Sequence, residues 1–311
     1  MALDPEELNA LAHVTPPPQN QNGMPASPNS NEFDRLERWA LLHKPPPTRF
    51  PDLEALAQVN STVRFNNLPM QIRTGYFRAG ALTVLIPVTI QFENRDLHFQ
   101  PRDGAQRATV NLYMRVTSLT RRVMTVQEDV LTVDSLAARH SLYQRLFYLP
   151  PGMYRLNVVA KDTIGGNIGT YDMALHVPAF EGKLSASSLI LADLIEKVPV
   201  RSIAAGQFVL GDSKVRPRID GVFSRDEKMG IFFEVYGAGD APNVSVEYLV
   251  SKAGSEKPLI DFTDELSTPR LRVEKMLPLT QLDPGEYTLK AIVTDKNSGR
   301  TITPSAAFSV R

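Results

Sequence analysis

The sequence predicts an all-β protein with two tandem β-sandwich domains behind a tethered helical extension. The stretch Leu149–Val177 recurs without a gap as Leu282–Val310, with Leu, Pro, Gly, Tyr and Asp residues in register. Such internal repetition indicates two copies of one folding unit. After residue 60, short runs of alternating apolar residues are separated by turn residues, and this pattern is typical of a β-sandwich.

Each copy contains the corner motif L-x-P-G-x-Y, at Leu149–Tyr154 and at Leu282–Tyr287. Pro followed by Gly suits a type II turn, because Gly alone takes the required positive φ at little cost. The tyrosine then opens the next strand, and an inward leucine, Leu156 or Leu289, follows two residues later. This is the arrangement of the tyrosine corner in immunoglobulin-like sandwiches, where the hydroxyl bonds to upstream backbone. We therefore expect two immunoglobulin-like domains.

The repeat and a change in composition set the predicted boundaries. Residues 1–59 form a Pro-rich linker with short amphipathic helices, residues 60–180 the first sandwich, and residues 181–311 the second. The segment from Thr15 to Asn31 is rich in Pro, Asn, Gln and Ser, which is typical of an unpacked linker. Helical spacing follows in EFDRLERWALLHK and PDLEALAQV. Such short helices cannot form a core alone, so we expect them to pack on the first β domain or on an upstream partner.

A two-residue period places the strands. In the first domain it predicts strands at Leu82–Glu93, Arg107–Leu119, Val123–Val133, Ser141–Leu149, Met153–Lys161 and Ile168–Val177. In the second it predicts Gln207–Leu210, Val215–Val222, Met229–Tyr236, Asn243–Ser251, Leu259–Thr263, Arg270–Met276, Glu286–Thr294 and Thr301–Val310. The connecting segment Ser187–Ile195 is apolar enough for a further strand. The clearest alternation predicts one buried face made by Ala108, Val110, Leu112, Met114 and Val116.

Composition limits the function classes. The chain carries 34 Lys+Arg against 34 Asp+Glu, with a pI of about 7.0, so no overall field attracts nucleic acid or an anionic membrane. No apolar run approaches the roughly 20 residues that span a bilayer, so we expect no membrane insertion. The absence of cysteine excludes disulfides, thiolate nucleophiles and Cys-ligated zinc. The first residues include acidic side chains and no long apolar run, so we expect no signal peptide in them.

The sequence contains no catalytic signature, so we predict no catalytic, cofactor-binding or metal-ligating residue. The five histidines, including His98, are scattered singly. Asp226–Glu227 and the group Asp261, Asp264 and Glu265 could supply paired carboxylates of the glycosidase kind, but we favour solvated turn residues. The loops after Asp162 and Asp295 could hold calcium; we favour each Asp bonding its own turn backbone.

Two further patterns admit a binding interpretation. Lys214, Arg216 and Arg218 alternate, as do Arg270 and Arg272, and could contact phosphate, carbohydrate or protein. We favour charges that protect an edge strand from pairing with other chains. Aromatic residues at Tyr143, Phe147 and Tyr148 could form a carbohydrate platform, but core and strand-surface positions are the preferred interpretation.

Several stretches resemble a known family. These are EFDRLERWALLHKPP, IPVTIQFENRDLHFQPRDG, LPPGMYRL, SASSLILADLIE, GQFVLGDSKVRPRI and FSRDEKMGIFFEVY. Together they resemble the C-terminal region of the GWxTD-domain proteins found mostly in acidobacteria, from about Glu32 onward. The resemblance implies tandem β-sandwich modules in a periplasmic or secreted bacterial protein whose role is not established. The Gly-Trp-x-Thr-Asp motif is absent, because the single tryptophan, Trp39, follows Arg38; this suggests a fragment or a divergent member.

We therefore predict a non-catalytic, extracytoplasmic structural or interaction module that acts through protein or glycan contacts. The alternative is a set of accessory modules belonging to an enzyme, protease-like or carbohydrate-active, whose catalytic domain lies upstream of this chain. The sequence predicts no cofactor. It leaves open the partner's identity, the oligomeric state and whether the two sandwiches are rigidly joined.

Overall fold

The computed structural model describes residues 48–58, 65–102, 104–134, 138–180, 182–199, 207–255, 257–268 and 270–311. The chain divides into two compact units, Met1–Thr48 and Arg49–Arg311, and the second contains every element given below. The predicted linker from Thr15 to Asn31 and the predicted helix around Trp39 lie outside the described residues. No helix among the described residues is long and apolar enough to cross a membrane.

The described part of the chain is nearly all β. It begins with helix α1 at Pro51–Gln58 and has a short 3-10 turn at Asn94–Asp96. The strands before residue 180 are β1 Gln71–Thr74, β2 Phe77–Arg78, β3 Val84–Glu93, β4 Gln100–Arg102, β5 Ala105–Ser118, β6 Val123–Val133, β7 His140–Leu149, β8 Gly152–Asp162 and β9 Ile168–Val177. The later strands are β10 Ser185–Ala186, β11 Ile190–Lys197, β12 Val209–Leu210, β13 Ser213–Pro217, β14 Val222–Phe223, β15 Lys228–Tyr236, β16 Val244–Lys252, β17 Pro258–Leu266, β18 Arg272–Pro278, β19 Gly285–Asp295, β20 Arg300–Ile302 and β21 Ser305–Val310.

Two sandwiches repeat one pairing scheme. In the first, β3 pairs with β1, β2 and β7, and a second sheet runs β6-β5-β8-β9 with β4 on β5. In the second, β15 pairs with β10, β11 and β18, and the other sheet runs β17-β16-β19-β21. β8 and β19 hold corresponding positions, each starting at a copy of the repeated corner. Each sandwich encloses its own apolar core, one on either side of residue 180.

The predicted buried face of β5 is confirmed. Ala108, Val110, Leu112, Met114 and Val116 are all fully buried in the first core. A two-residue period reports burial reliably here because successive strand side chains point to opposite faces of the sheet.

Two predicted strands are interrupted, and a third is shorter than predicted. Val215–Val222 is divided by a turn in which Gly221 takes a φ of 66°. Thr301–Val310 breaks around Pro304, whose nitrogen has no hydrogen to donate to the ladder. The connector Ser187–Ile195 is a strand only from Ile190 onward, in β11. In the two interrupted strands the alternation of apolar residues continues through the break, so periodicity alone did not reveal it.

The prediction of a type II turn at the two corners is wrong in its dihedral angle. Gly152 and Gly285 have φ values of 153° and 157°, whereas a type II turn requires a value near +80°. The region that they occupy is still accessible almost only to glycine. Glycine is therefore required at both corners, but because of this backbone conformation and not because of a type II turn.

Helix α1 packs on the outer face of the first sandwich, which is the first of the two predicted alternatives. Leu53 is fully buried against Tyr113 and Val159. The Glu128 carboxylate accepts the backbone N–H groups of Arg49 and Phe50, both at 2.8 Å, just before the helix begins. Burial and then the nearby negative charge of Glu54 raise the pKa of the Tyr113 phenol to about 12. A helix of eight residues is unstable alone in water, so these contacts hold it.

Both tyrosine corners are formed. The Tyr154 hydroxyl donates to the Pro150 carbonyl at 3.0 Å, and the Tyr287 hydroxyl donates to the Asp283 carbonyl at 2.6 Å. Both rings are buried. The two hydroxyls therefore tie the start of a central strand to the backbone four residues upstream in each sandwich.

Replacing Tyr154 or Tyr287 with phenylalanine is expected to cost about 1–3 kcal/mol each, since each change leaves a carbonyl without its donor. Urea unfolding measures the loss. Tyr148→Phe is the matched control: this side chain is 58% exposed, so we expect a change within about 0.5 kcal/mol. Unchanged unfolding midpoints for both corner variants would contradict the assigned role of the hydroxyls.

Candidate functional site

A shared apolar cluster joins the two sandwiches. Phe77 from β2 of the first sandwich packs against Phe232 from β15 of the second, with ring centroids 5.9 Å apart and planes inclined by 50°. The cluster's buried members are Phe77, Ala192, Leu210, Val215 and Phe232. Because both phenylalanines are almost fully buried, separating the domains would expose a substantial apolar surface to water.

Hydrogen bonds fix the same junction. The Tyr76 N–H donates to the Ser188 hydroxyl at 2.9 Å, and the Ser188 N–H donates to the Tyr76 carbonyl at 3.0 Å. Buried Gln144 of the first sandwich accepts the Phe208 N–H at 3.1 Å, while its amide nitrogen donates to Thr89. Paired polar groups in a buried interface specify one arrangement, because any displacement leaves them unsatisfied. The described contacts therefore indicate a rigid junction.

A cleft of about 440 Å³ opens beside this junction. The first sandwich lines it with residues 77–80 and Leu85, and the second with residues 210–211, 234–236 and 270–272. Its volume lies within the range of small-ligand sites. Since residues from both domains form its walls, the rigid junction fixes its shape. This cleft is the candidate functional site.

An ion network centred on Arg272 forms one wall. The Arg272 side chain is only 8% exposed, and its Nε and Nη2 atoms lie 3.0 and 2.8 Å from the Glu234 carboxylate. Its Nη1 atom also pairs with Asp212 and lies 3.5 Å from Glu274. Gly211 leaves space for this guanidinium, because a Cβ there would come within 2.6 Å of Nη2. The arrangement holds a buried cation with three carboxylates.

The charges in this network shift one another's pKa values. Burial alone would lower the pKa of Arg272, but the hydrogen bonds and charges of Glu234 and Asp212 outweigh it and raise the pKa. Burial alone would raise the pKa of Asp212, but hydrogen bonds from Lys197 and Arg272 outweigh it and bring the pKa to about 2. Arg272 and Asp212 are therefore both charged at neutral pH, and each charge is paired within the network.

Tyr236 connects the network to the first sandwich. Its hydroxyl accepts the Arg78 backbone N–H at 3.0 Å and donates to Glu234 at 2.9 Å. The Arg78 guanidinium lies over the Tyr236 ring, 4.6 Å from its centroid. Burial, followed by the charge of Glu234, raises the pKa of the Tyr236 phenol. The phenol is therefore neutral at physiological pH and acts as a hydrogen-bonding bridge between the domains.

The Asp212 pKa predicts how stability depends on pH. The folded value of about 2 lies below the ordinary 3.8, so the contribution is present above about 4 and is lost as the pH falls toward 2. Asp212→Asn lacks this contribution at every pH. We expect the difference in urea midpoint between wild type and variant to be constant near neutrality and to shrink between pH 4 and pH 2. A difference that does not change across this interval would contradict the assignment.

Three of the five acidic residues that the sequence suggested as paired carboxylates, Glu227, Asp264 and Glu265, form ion pairs with cations. Glu227 lies 2.8 Å from Arg218. Asp264 lies 2.8 Å from Lys275, and Glu265 lies 2.7 Å from Lys296. Burial on its own would raise the pKa of Glu227, but hydrogen bonds from the Ser224 N–H and from Arg218 outweigh it and lower the pKa. A general acid needs a raised pKa, so this carboxylate does not have that property.

The Asp162 and Asp295 side chains bond their own turns. The Ile164 N–H donates to Asp162 at 3.0 Å, and the Asn297 N–H donates to Asp295 at 3.1 Å. Asp162 also receives the His98 backbone N–H at 2.9 Å and contacts the imidazole Nδ1 at 2.7 Å. No pattern in the sequence indicates this His98 contact. Among the described residues, no group of three or more potential ligands could hold a metal ion.

Four of the five basic residues that the sequence predicted as edge protection form ion pairs with carboxylates, and the prediction is wrong only for Arg272, whose side chain is buried. Arg216 pairs with Asp193 at 2.6 Å and Lys214 with Glu196 at 3.5 Å, both on the adjacent strand β11. Arg272 is the buried centre of the network. These cations therefore stabilise contacts within the second sandwich. In the aromatic group, Tyr143 and Phe147 are buried and Tyr148 is exposed, so no planar platform forms there.

Glu234, Asp212 and Tyr236 were not identified from the sequence. One signal was available, because Glu234 is the single acidic residue within the apolar run MGIFFEVY. A carboxylate in a buried strand requires a buried cation. The sequence does not show that Arg272, on the neighbouring strand, supplies it.

No family model matches the chain, and no curated protein matches it. Among solved structures, it is similar to fibronectin(III)-like modules of Clostridium thermocellum CbhA, at 11% identity over 75% of this chain and 87% of that chain, with a TM-score of 0.22. A tetra-tandem repeat in the extending region of a large adhesion protein is similar at 16% identity, over 78% of this chain and 48% of that chain, with a TM-score of 0.21. Scores this low do not establish a common fold, so the architecture rests on the strand pairing and the two cores.

Proposed function

We propose that this chain is a non-catalytic structural and interaction module, built from two immunoglobulin-like sandwiches and acting outside the cytoplasm through protein or glycan contacts. The immunoglobulin-like assignment is supported by the sheet orders and by a tyrosine corner at the same place in each copy. The observation that carries the functional proposal is the rigid junction between the sandwiches.

The junction suits a module that presents surfaces in a fixed relation. The Phe77–Phe232 contact and the Tyr76–Ser188 pair connect the domains through both apolar packing and backbone hydrogen bonds. Interfaces between domains of one chain usually permit relative motion unless they are large and hydrophobic. A buried apolar cluster at this junction therefore favours a role in which the spacing of two binding surfaces matters.

The ionisable groups near the cleft support a non-catalytic role. Glu234 is engaged by Arg272 and Tyr236 through both of its oxygens. Asp212 is held by Arg272 and Lys197. A general base must have a lone pair directed at its substrate. Here the carboxylate oxygens of the network already accept hydrogen bonds from neighbouring side chains.

We also propose that the chain belongs with the GWxTD-domain proteins and is exported, on the strength of the sequence resemblance. The absent Gly-Trp-x-Thr-Asp motif then belongs to a segment upstream of this chain. Intact-mass analysis of the protein from its native source tests this. A mature polypeptide whose added N-terminal sequence contains the motif supports the membership, and one that extends upstream without it contradicts the membership.

The functional proposal is tested by a turnover assay combined with cross-linking. The purified chain is incubated with labelled casein and with a panel of nitrophenyl glycosides from pH 4 to pH 9, and we expect no turnover above that of buffer. In native extracts, cross-links to a partner are expected on loops, exposed strand edges or the cleft. Turnover that is abolished by Glu234→Gln would overturn the proposal, because it would make the cleft an active site.

A further inference from the structure

The residues that line the cleft carry more positive than negative charges. Four charged side chains line it: Arg78, Arg270, Arg272 and Glu234. Arg272 lies 2.8 Å from Glu234, in a network that holds three carboxylates, Asp212, Glu234 and Glu274, against two cations, Arg272 and Lys197. Within the part of the chain that the structure describes, no carboxylate forms an ion pair with Arg78 or Arg270, and both residues are exposed. The cleft therefore presents two guanidinium groups without an ion-pair partner, against one surplus carboxylate in the neighbouring network.

Contacts with Tyr236 orient the Arg78 side chain so that it can bind an anion. The Cζ atom of its guanidinium lies 4.6 Å from the centre of the Tyr236 ring, and its own backbone N–H donates to the Tyr236 hydroxyl. Tyr236 is fixed in turn by Glu234 and, at 5.0 Å, by the edge-on ring of Phe180. Contact with a ring face uses none of the N–H groups of a guanidinium, and these groups match the two oxygens of a carboxylate. Little side-chain entropy is then lost when an anion binds.

The aromatic groups of the cleft do not suit a sugar ring. Carbohydrate sites present an open aromatic plane. Here Phe77 is 3% exposed and Tyr236 is 6% exposed, and Arg78 covers one face of the Tyr236 ring. A peptide needs no such plane, because its side-chain carboxylates bond to arginine directly. The wall also includes two small residues, Ala79 and Gly80, which leave room for a peptide backbone.

We propose that this cleft is a docking site for an acidic segment of a partner protein, with Arg78 and Arg270 binding its carboxylates. This proposal rests on the proposed interaction function and identifies the partner's chemistry. A volume of about 440 Å³ accommodates a few side chains and not a folded domain, so the occupant is a short acidic stretch. Binding is expected to weaken as salt is added, because the two arginines are exposed to solvent.

Fluorescence anisotropy with a labelled hexaglutamate peptide tests the proposal on the full chain. Hexaglutamine is the neutral probe, and an oligogalacturonate and inorganic phosphate are competitors. Wild type is expected to bind hexaglutamate and not hexaglutamine. Arg78→Gln and Arg270→Gln should each weaken binding by about tenfold or more, the usual effect of losing a charged hydrogen bond. Arg95→Gln, a change at an 82%-exposed side chain outside the cleft, should leave binding unchanged.

Several outcomes would overturn the acidic-peptide assignment. These are the absence of hexaglutamate binding at low salt, equal losses in the cleft variants and in Arg95→Gln, or displacement of the peptide by oligogalacturonate or phosphate at lower concentrations than unlabelled hexaglutamate. Because both arginines are exposed, the variants should keep the wild-type unfolding midpoint, which confirms that they are folded. The outcomes are separable from the broader proposal: failure to bind acidic peptide leaves a non-catalytic module intact, whereas turnover in the hydrolysis assay does not.

Discussion

Replacing Phe232 with alanine is expected to lower the free energy of unfolding by about 3–5 kcal/mol, the usual cost of removing a fully buried phenylalanine. The ring is 0% exposed and packs against Phe77 across the domain junction. Its loss leaves a cavity between two domains that each retain their own core. We therefore expect the variant to lose cooperativity between the sandwiches as well as stability, which urea unfolding followed by circular dichroism would show as a broadened or biphasic transition.

Leu259→Ala is the matched control for this prediction. Leu259 is 56% exposed on β17, away from the junction, so its removal should change stability by no more than about 0.5 kcal/mol. If Phe232→Ala unfolds at the same urea concentration as Leu259→Ala, the apolar cluster does not contribute as described.

Replacing Arg272 with alanine is expected to cost about 3 kcal/mol. Removing one partner of a buried ion pair leaves the other charge uncompensated, which typically costs about 3–5 kcal/mol. The lower end applies here because Lys197 still lies 2.9 Å from Glu274 and partly neutralises it. Glu234, which is 17% exposed, loses its cation entirely. The guanidinium also lies 5.7 Å from the Phe232 ring centroid, so the change weakens the junction as well.

Arg216→Ala separates this effect from a general loss of positive charge. Arg216 is 45% exposed and pairs with Asp193, so its removal should cost at most about 1 kcal/mol. Arg272→Ala combined with Glu234→Gln should recover part of the loss, because the uncompensated carboxylate is then neutral. Equal costs for the two arginine variants, or no recovery in the double variant, would contradict a buried network.

Much of the fold follows from local sequence. The corners at Tyr154 and Tyr287 are recognisable because Pro, Gly and Tyr each have a specific backbone or hydrogen-bonding requirement. The buried face of β5 is recognisable because strand side chains alternate. The starting points of β21 and β14 were harder to predict. Each depends on one residue, Pro304 or Gly221, and the alternation of apolar residues continues past it.

The candidate site could not be predicted in the same way. Phe77 meets Phe232, and Arg78 meets Tyr236, across a domain junction and a sequence separation of about half of the chain. Such contacts form only when two folded domains pack against each other. The preferences of neighbouring residues for helix, strand or turn do not determine them. His98 likewise meets Asp162 from 64 residues away. The sequence did contain one indication of the site. Glu234 is an acidic residue in a strand whose other residues are mostly apolar, so it requires a cation nearby.

Differential scanning calorimetry of the full chain tests the central claim, that the two sandwiches form one rigid body. A single cooperative transition is expected for the two sandwiches, with a calorimetric enthalpy equal to the van't Hoff enthalpy, because neither domain can open the junction without exposing Phe77 and Phe232. Phe232→Ala should separate this transition into two. Two resolved endotherms already present in the wild-type chain, one for each sandwich, would contradict the claim.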